Sequence, residues 1–222
     1  SDLWFSKYDM PVSDFSASVD RVYEDLKPLY ESLQCHVRAE LNEFYGDEVV
    51  PSEGSIPAHV LGNMWAQSWA NVYDLVYQEE SAGQPIDLTK VITDRGLTEV
   101  EMVEIAEDFF LSLGFEPLED TFWERSLFVK PVDRNVVCHA SAWDINPKTQ
   151  DLRIKMCIEK NAEDFVTIHH ELGHIFYYQA YAHLPSVFQS GANDGFHEAV
   201  GDLLSLSITP NYLEKIGFVS KE

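Results

Sequence analysis

Over residues 12–43 the apolar positions recur at steps of three and four, at Val19, Val22, Leu26, Leu29, Leu33 and Val37, with charged residues between them. That spacing lays an apolar stripe along one face, so a long helix is predicted over 12–43 with Pro28 as its break point. Residues 45–57 hold Gly46, Pro51, Gly54 and Pro57 and read as turns. Over 58–77 the run Leu61, Met64, Trp65, Trp69, Val72 and Leu75 predicts a second, largely buried helix. Thr98 with Glu101 three residues on is a capping-box pattern ahead of a third helix over 99–113, which Gly114 ends. Two short apolar runs, 136–143 and 152–157, flank a turn of Asn, Pro, Lys, Thr, Gln and Asp, and predict a β-hairpin. The chain then returns to helices over 162–182 and 195–207, with Pro185 and Pro210 as breakers.

Composition narrows the class of protein. Of 222 residues, 15 are Lys or Arg and 38 are Asp or Glu, a net charge of −23. Such a chain lacks the basic stripe that phosphate contacts require, which excludes nucleic acid and an anionic membrane surface as partners. With 45% hydrophobic and 13% aromatic residues it can bury a core, so the acidity does not signal disorder. No apolar run is long enough to span a membrane, and the start is not a signal peptide. It opens on Ser1 rather than Met, as a chain beginning inside a longer precursor would. The hairpin would bring Cys138 and Cys157 to opposing positions, where a disulfide is compatible with the spacing, and would leave Cys35 over.

The candidate chemistry lies in the segment Thr167-Ile168-His169-His170-Glu171-Leu172-Gly173-His174, which contains H-E-x-x-H. Positions i and i+4 of a helix share a face, so His170 and His174 can aim at one Zn²⁺ with Glu171 beside the metal as a general base. A helix that merely contains two histidines explains the motif about as well. Catalytic zinc needs a third protein ligand, and Glu198 lies 24 residues beyond His174 on the following predicted helix. Asp202, one turn after Glu198, could accept the free ring N–H of a zinc histidine. An ordinary solvated helix face is the competing reading, but Gly195, Phe196, Ala199, Val200 and Leu203 around the two carboxylates argue against it. His169 and His197 lie one residue off the metal face and read as structural residues or as partners of the ligands.

Four blocks go further: Gly62-Asn63-Met64-Trp65-Ala66-Gln67, Val137-Cys138-His139-Ala140-Ser141-Ala142-Trp143-Asp144, residues 169–177, and 191–202 from Gly191-Ala192-Asn193 through Phe196-His197-Glu198 to Asp202. On these blocks, in this order, the chain resembles the angiotensin-converting-enzyme family of zinc dipeptidyl carboxypeptidases over nearly its whole length. The resemblance implies a mainly α, zincin-type helical peptidase with a central cleft and a small β-hairpin beside the zinc helix. It implies His170, His174 and Glu198 as zinc ligands, Glu171 as general base and acid, and Asp202 as the partner that orients a ligand. His139 and Ala140 match residues that bind the peptide substrate, on the predicted hairpin, although an unaided reading of His139 is a satisfied strand histidine. Cys138 and Cys157 match a family disulfide, which leaves Cys35 as a buried free thiol. Gln67 matches the glutamine that helps hold the terminal carboxylate of a released dipeptide. The monocarboxypeptidase branch has Arg there, and Pro-Thr rather than Ala-Ser after the matching histidine. By the same resemblance, 1–222 is part of a catalytic domain that continues past Glu222 and is inactive or nearly so alone. The residues that clamp the carboxylate, stabilise the oxyanion and bind chloride would then lie mostly outside it. Oligopeptides are the implied substrates and an extracellular setting, secreted or membrane-anchored, the implied location. A non-catalytic peptide-binding or interaction protein of the same fold, or a monocarboxypeptidase, is the alternative.

Overall fold

The structure, a computed structural model, describes residues 8–62, 65–66, 69–77 and 86–219, which fall into two compact units, 1–84 and 85–222. The first unit is built on α1 (Val12–Tyr45), and Pro28 lies inside it without ending it. Proline removes one N–H from the ladder, and Ser32 Oγ donates to the Pro28 carbonyl at 2.9 Å a turn later. Of the predicted stripe only Val37, together with Leu41, is buried, while Val19, Val22, Leu26, Leu29 and Leu33 are exposed. Val37 and Leu41 pack with Val50, Ile56, Val60, Leu61 and Val72 in a small core. Asn42 Nδ2 donates to Val50 O at 2.6 Å and ties the turn region back onto the helix.

The helix predicted over 58–77 does not form. The described part consists of 3-10 turns at Ala58–Val60 and Ala70–Val72 and a single helical turn, α2 (Tyr73–Val76). Gly62 at φ +66° and Ala66 at φ +54° are left-handed and interrupt any continuous ladder. Side chains take over the backbone bonding: Asn71 Nδ2 donates to Val60 O at 3.1 Å and Trp69 Nε1 to Ala66 O at 2.9 Å. Cys35 is exposed rather than buried, because the outer face of α1 carries it.

In the second unit α3 (Leu88–Arg95) and α4 (Glu99–Ser112) precede the short α5 (Asp120–Arg125). The capping box at the head of α4 is present, with Thr98 N donating to Glu101 Oε2 at 2.7 Å and Glu101 N to Thr98 Oγ1 at 3.2 Å. The predicted hairpin forms with its first strand shifted later, as β1 (Ser141–Asn146) and β2 (Asp151–Lys155), antiparallel with Ser141 opposite Lys155. Residues 136–140 stay outside the ladder. They are tied down by the Cys138–Cys157 disulfide, Cα atoms 5.1 Å apart, and by Lys155 Nζ donating to Val137 O at 2.9 Å. The outer edge of β2 is taken by Leu127, whose N–H bonds Ile154 O at 2.9 Å.

Three helices complete the unit: α6 (Ala162–Tyr181), α7 (Asp194–Ser205) and α8 (Pro210–Lys215). Pro210 does not break a helix here. It opens α8 from its first turn, where its missing N–H costs nothing. Phe165, Ile168, Leu172, Ile175 and Phe176 recur along α6 at helical steps and are buried, and Phe176 stacks on Phe110 of α4 with ring centroids 4.3 Å apart. The hairpin packs on α6, so the helix bearing H-E-x-x-H is covered on its core side by α4 and the sheet.

Candidate metal centre

Two caps set the starting points of the helices that build the site. Asn161 Oδ1 accepts from Asp164 N at 2.7 Å to begin α6, and Asn193 Oδ1 accepts from Phe196 N at 2.6 Å to begin α7. The helices then meet through two glycines. A Cβ on Gly173 would lie 2.8 Å from Gly201 Cα, and one on Gly201 would lie 2.9 Å from the His170 ring. Only glycine permits this approach, and it brings Glu198 of α7 over the two histidines of α6.

The Nε2 atoms of His170 and His174 are 3.0 Å apart, and Glu198 Oε2 lies 3.3 Å from the first and 3.7 Å from the second. Tetrahedral zinc with ligand atoms about 2.0–2.1 Å away would hold its donors about 3.3–3.4 Å apart, so both the spacing and the donor set fit Zn²⁺. Two His and one Glu is a set that leaves a fourth position open. Among the described residues no other three His, Cys, Asp or Glu side chains converge this way.

The second ring nitrogens are engaged as well. His170 Nδ1–H donates to Asp202 Oδ1 at 3.0 Å, which leaves Nε2 with a free lone pair. His174 Nδ1 lies 2.7 Å from His197 Nδ1. The adjacent His169 is fully buried, with Nδ1 against Phe165 O at 2.8 Å and Nε2 against Tyr212 OH at 3.2 Å. Burial pulls its pKa down to about 4, so it is a neutral core histidine.

Glu171 is 6% exposed and does not touch the three converging atoms. Burial pushes its carboxyl up from the usual glutamate range, and the Glu198 charge adds to this while His170 opposes it. Glu198 and Asp202 differ from expectation in their surroundings. Their side chains are 64% and 69% exposed, and α7 turns Phe196 and Leu203 outward as well rather than enclosing them.

His139, Ala140, His170, Glu171 and Asp202 line one open cleft of about 490 Å³ together with the disulfide. His139 and Ala140 sit just before β1 rather than on the hairpin. His139 is exposed, and its Nδ1 lies 2.7 Å from Ala140 O, so a peptide pairing with that carbonyl would share it with the imidazole. Gln67 lies outside the described residues. Of the two readings the sequence left open for His197, its contact with His174 fits that of a partner to the site, whereas the Gly173–Gly201 crossing had no role in the sequence. A glycine four residues after another His-bearing turn, on each of two helices, was the one available signal.

The sequence profile described as Angiotensin-converting enzyme matches this chain over residues 1–222. The chain belongs to the angiotensin-converting enzyme family. It is 49% identical over 222 residues to Angiotensin-converting enzyme of Bos taurus, covering 99% of this chain and 17% of that protein. It is 44% identical over 223 residues to the protein of the same name from Haematobia irritans exigua, covering 99% of this chain and 36% of that protein. With the Theromyzon tessulatum protein the identity is 42% over 219 residues, covering 98% of this chain and 35% of that protein. The chain therefore spans between 17% and 36% of the length of these curated relatives. Membership of this zinc metallopeptidase family agrees with the His, His and Glu cluster found independently in the fold. No helix among the described residues is long and apolar enough to cross a membrane.

Proposed function

We propose that this chain is the metal-holding part of a zinc peptidase that removes dipeptides from the C-terminal end of oligopeptides. The observation that carries the reading is the convergence of His170, His174 and Glu198 with the buried Glu171 carboxyl alongside. Bound Zn²⁺ supplies Lewis-acid polarisation of the scissile carbonyl and makes water acidic enough to attack near neutral pH. Glu171 takes the proton of the attacking water and returns it to the leaving amine, a task suited to a carboxyl whose pKa burial has raised. Asp202 holds His170 in the tautomer that keeps Nε2 free.

His139 and Ala140 hold the extended substrate through main-chain hydrogen bonds. In support, β1 has no ladder partner on its outer edge among the described residues, whereas both edges of β2 are paired. Release of two residues rather than one rests on Gln67 and on Ala140-Ser141 following His139. Chloride dependence and an extracellular setting belong to the same reading, the latter supported by the disulfide.

The test is release of a C-terminal dipeptide from an N-blocked tripeptide, with and without a chelator, by this chain and by a version extended to the relatives' length. Chelator-sensitive dipeptide release supports the reading. Single-residue release moves the protein to the monocarboxypeptidase branch, and inactivity of both versions in the presence of bound zinc leaves a peptide-binding protein.

A further inference from the structure

His197 is placed where it can decide which nitrogen of His174 is available to a metal. Its Nδ1 lies 2.7 Å from His174 Nδ1, so one of the two nitrogens must carry a proton and the other a lone pair. Its Nε2 is buried and has no hydrogen-bond partner. Around the ring stand Tyr177 and Tyr178, each with its ring centroid 4.7 Å away, and Tyr181 at 6.4 Å. On a further side, a Cβ on Gly191 would lie 2.9 Å from His197 Cδ2, so a glycine there leaves the imidazole its room.

An aromatic surrounding does not treat the two tautomers alike. The π faces of tyrosine are negative and accept a weak hydrogen bond from N–H, whereas a bare nitrogen lone pair is repelled by them. A His174 lone pair turned to the metal cluster at Nε2, the atom 3.0 Å from His170 Nε2, requires its proton on Nδ1. The 2.7 Å contact then leaves His197 Nδ1 as the acceptor with its own proton on the buried Nε2 among these rings.

We propose that His197 is a positioning residue for metal binding: set among the Tyr177, Tyr178 and Tyr181 rings beside Gly191, it accepts the Nδ1–H of His174 and so presents Nε2 to the zinc. The two histidine ligands are then oriented by unlike partners, His170 by the carboxylate of Asp202 and His174 by a neutral imidazole. This assignment rests on the zinc reading above, since it concerns how one ligand is prepared.

The experiment is zinc affinity by chelator competition on the whole chain, for the wild type, His197→Leu and His197→Asn. Leucine has no acceptor, while an asparagine Oδ1 can occupy the place of Nδ1. The expected result is a loss of about 10- to 100-fold in affinity for His197→Leu and recovery of most of it in His197→Asn. Unfolding of the metal-free variants shows whether either has lost its fold. A second measurement needs no variant at this position: ring ¹⁵N shifts in the metal-free wild-type chain at alkaline pH, with His174 assigned by His174→Gln, should show its proton on Nδ1. His197→Leu binding zinc as tightly as the wild type, or a proton on His174 Nε2, overturns the assignment. A wild type that binds no zinc would instead overturn the metal reading on which it depends.

Discussion

Gly173→Ala subjects the crossing of α6 and α7 to the smallest change chemistry allows. The added Cβ would lie 2.8 Å from Gly201 Cα, 0.6 Å short of the 3.4 Å at which ordinary contact begins. Both partners are helix backbone, so no rotamer can relieve the clash and the helices must separate by about that amount. Metal ligands tolerate displacements of about 0.2 Å, and a constellation held on two elements fails beyond about 0.5 Å. Glu198 rides on α7 while His170 and His174 ride on α6, so the separation acts directly on the ligand set. Stability is a poor readout here, because overpacking costs about 1–3 kcal/mol but alanine gains about 1 kcal/mol over glycine in a helix. Zinc affinity is the sharper one. Chelator competition is expected to show a loss on the order of tenfold or more for Gly173→Ala, with the metal-free chain still folded. An affinity within twofold of the wild type would refute the claim that this glycine contact sets the spacing of the site.

Three further outcomes are expected. Glu171→Gln should bind zinc as the wild type does and, in the active extended protein, lose about 10²- to 10⁴-fold in turnover; retained turnover would remove Glu171 from the proton-transfer role. Burial makes His169 bind its proton more weakly in the folded chain, at about 4, than an exposed histidine does at about 6.5. Its contribution is therefore fully present above pH ~6.5 and is lost as pH falls toward 4, by about 3 kcal/mol, and urea midpoints of His169→Gln should fall less over that range than those of the wild type. Replacing Cys138 and Cys157 together by Ala should lower stability by about 3 kcal/mol and raise KM for peptide while leaving zinc affinity unchanged, since residues 136–140 would be held only by Lys155. Equal zinc loss in that variant would show that the loop supports the metal as well.

The legible parts of the fold are those where local chemistry decides. Thr98 and Glu101 settle the start of α4 between themselves, and the spacing of His170 and His174 needs only a helix to become a shared face. Where an element depends on distant partners, the pattern misleads. Residues 58–77 have the apolar content of a helix, yet left-handed Gly62 and Ala66 and the side-chain bonds of Asn71 and Trp69 prevent one. The hairpin begins at Ser141 because the disulfide and Lys155 hold the preceding residues off the ladder. The periodicity of α1 is real, but among the described residues its stripe from Val19 to Leu33 has no covering layer, so burial did not follow from spacing. At the site the ligand types were readable, and their mutual approach was not. Two glycines meeting across helices are a property of tertiary packing that single positions do not announce.

His170, His174 and Glu198 are expected to form one zinc site in this chain by itself. X-ray absorption at the zinc edge on the chain loaded with one equivalent of Zn²⁺ tests this most directly, with Glu198→Ala for comparison. The expected result is a single bound ion with two imidazole nitrogens and carboxylate oxygen at about 2.0–2.2 Å, and loss of the carboxylate in the variant. A sulfur ligand, a single imidazole, or identical spectra for the two proteins would contradict it.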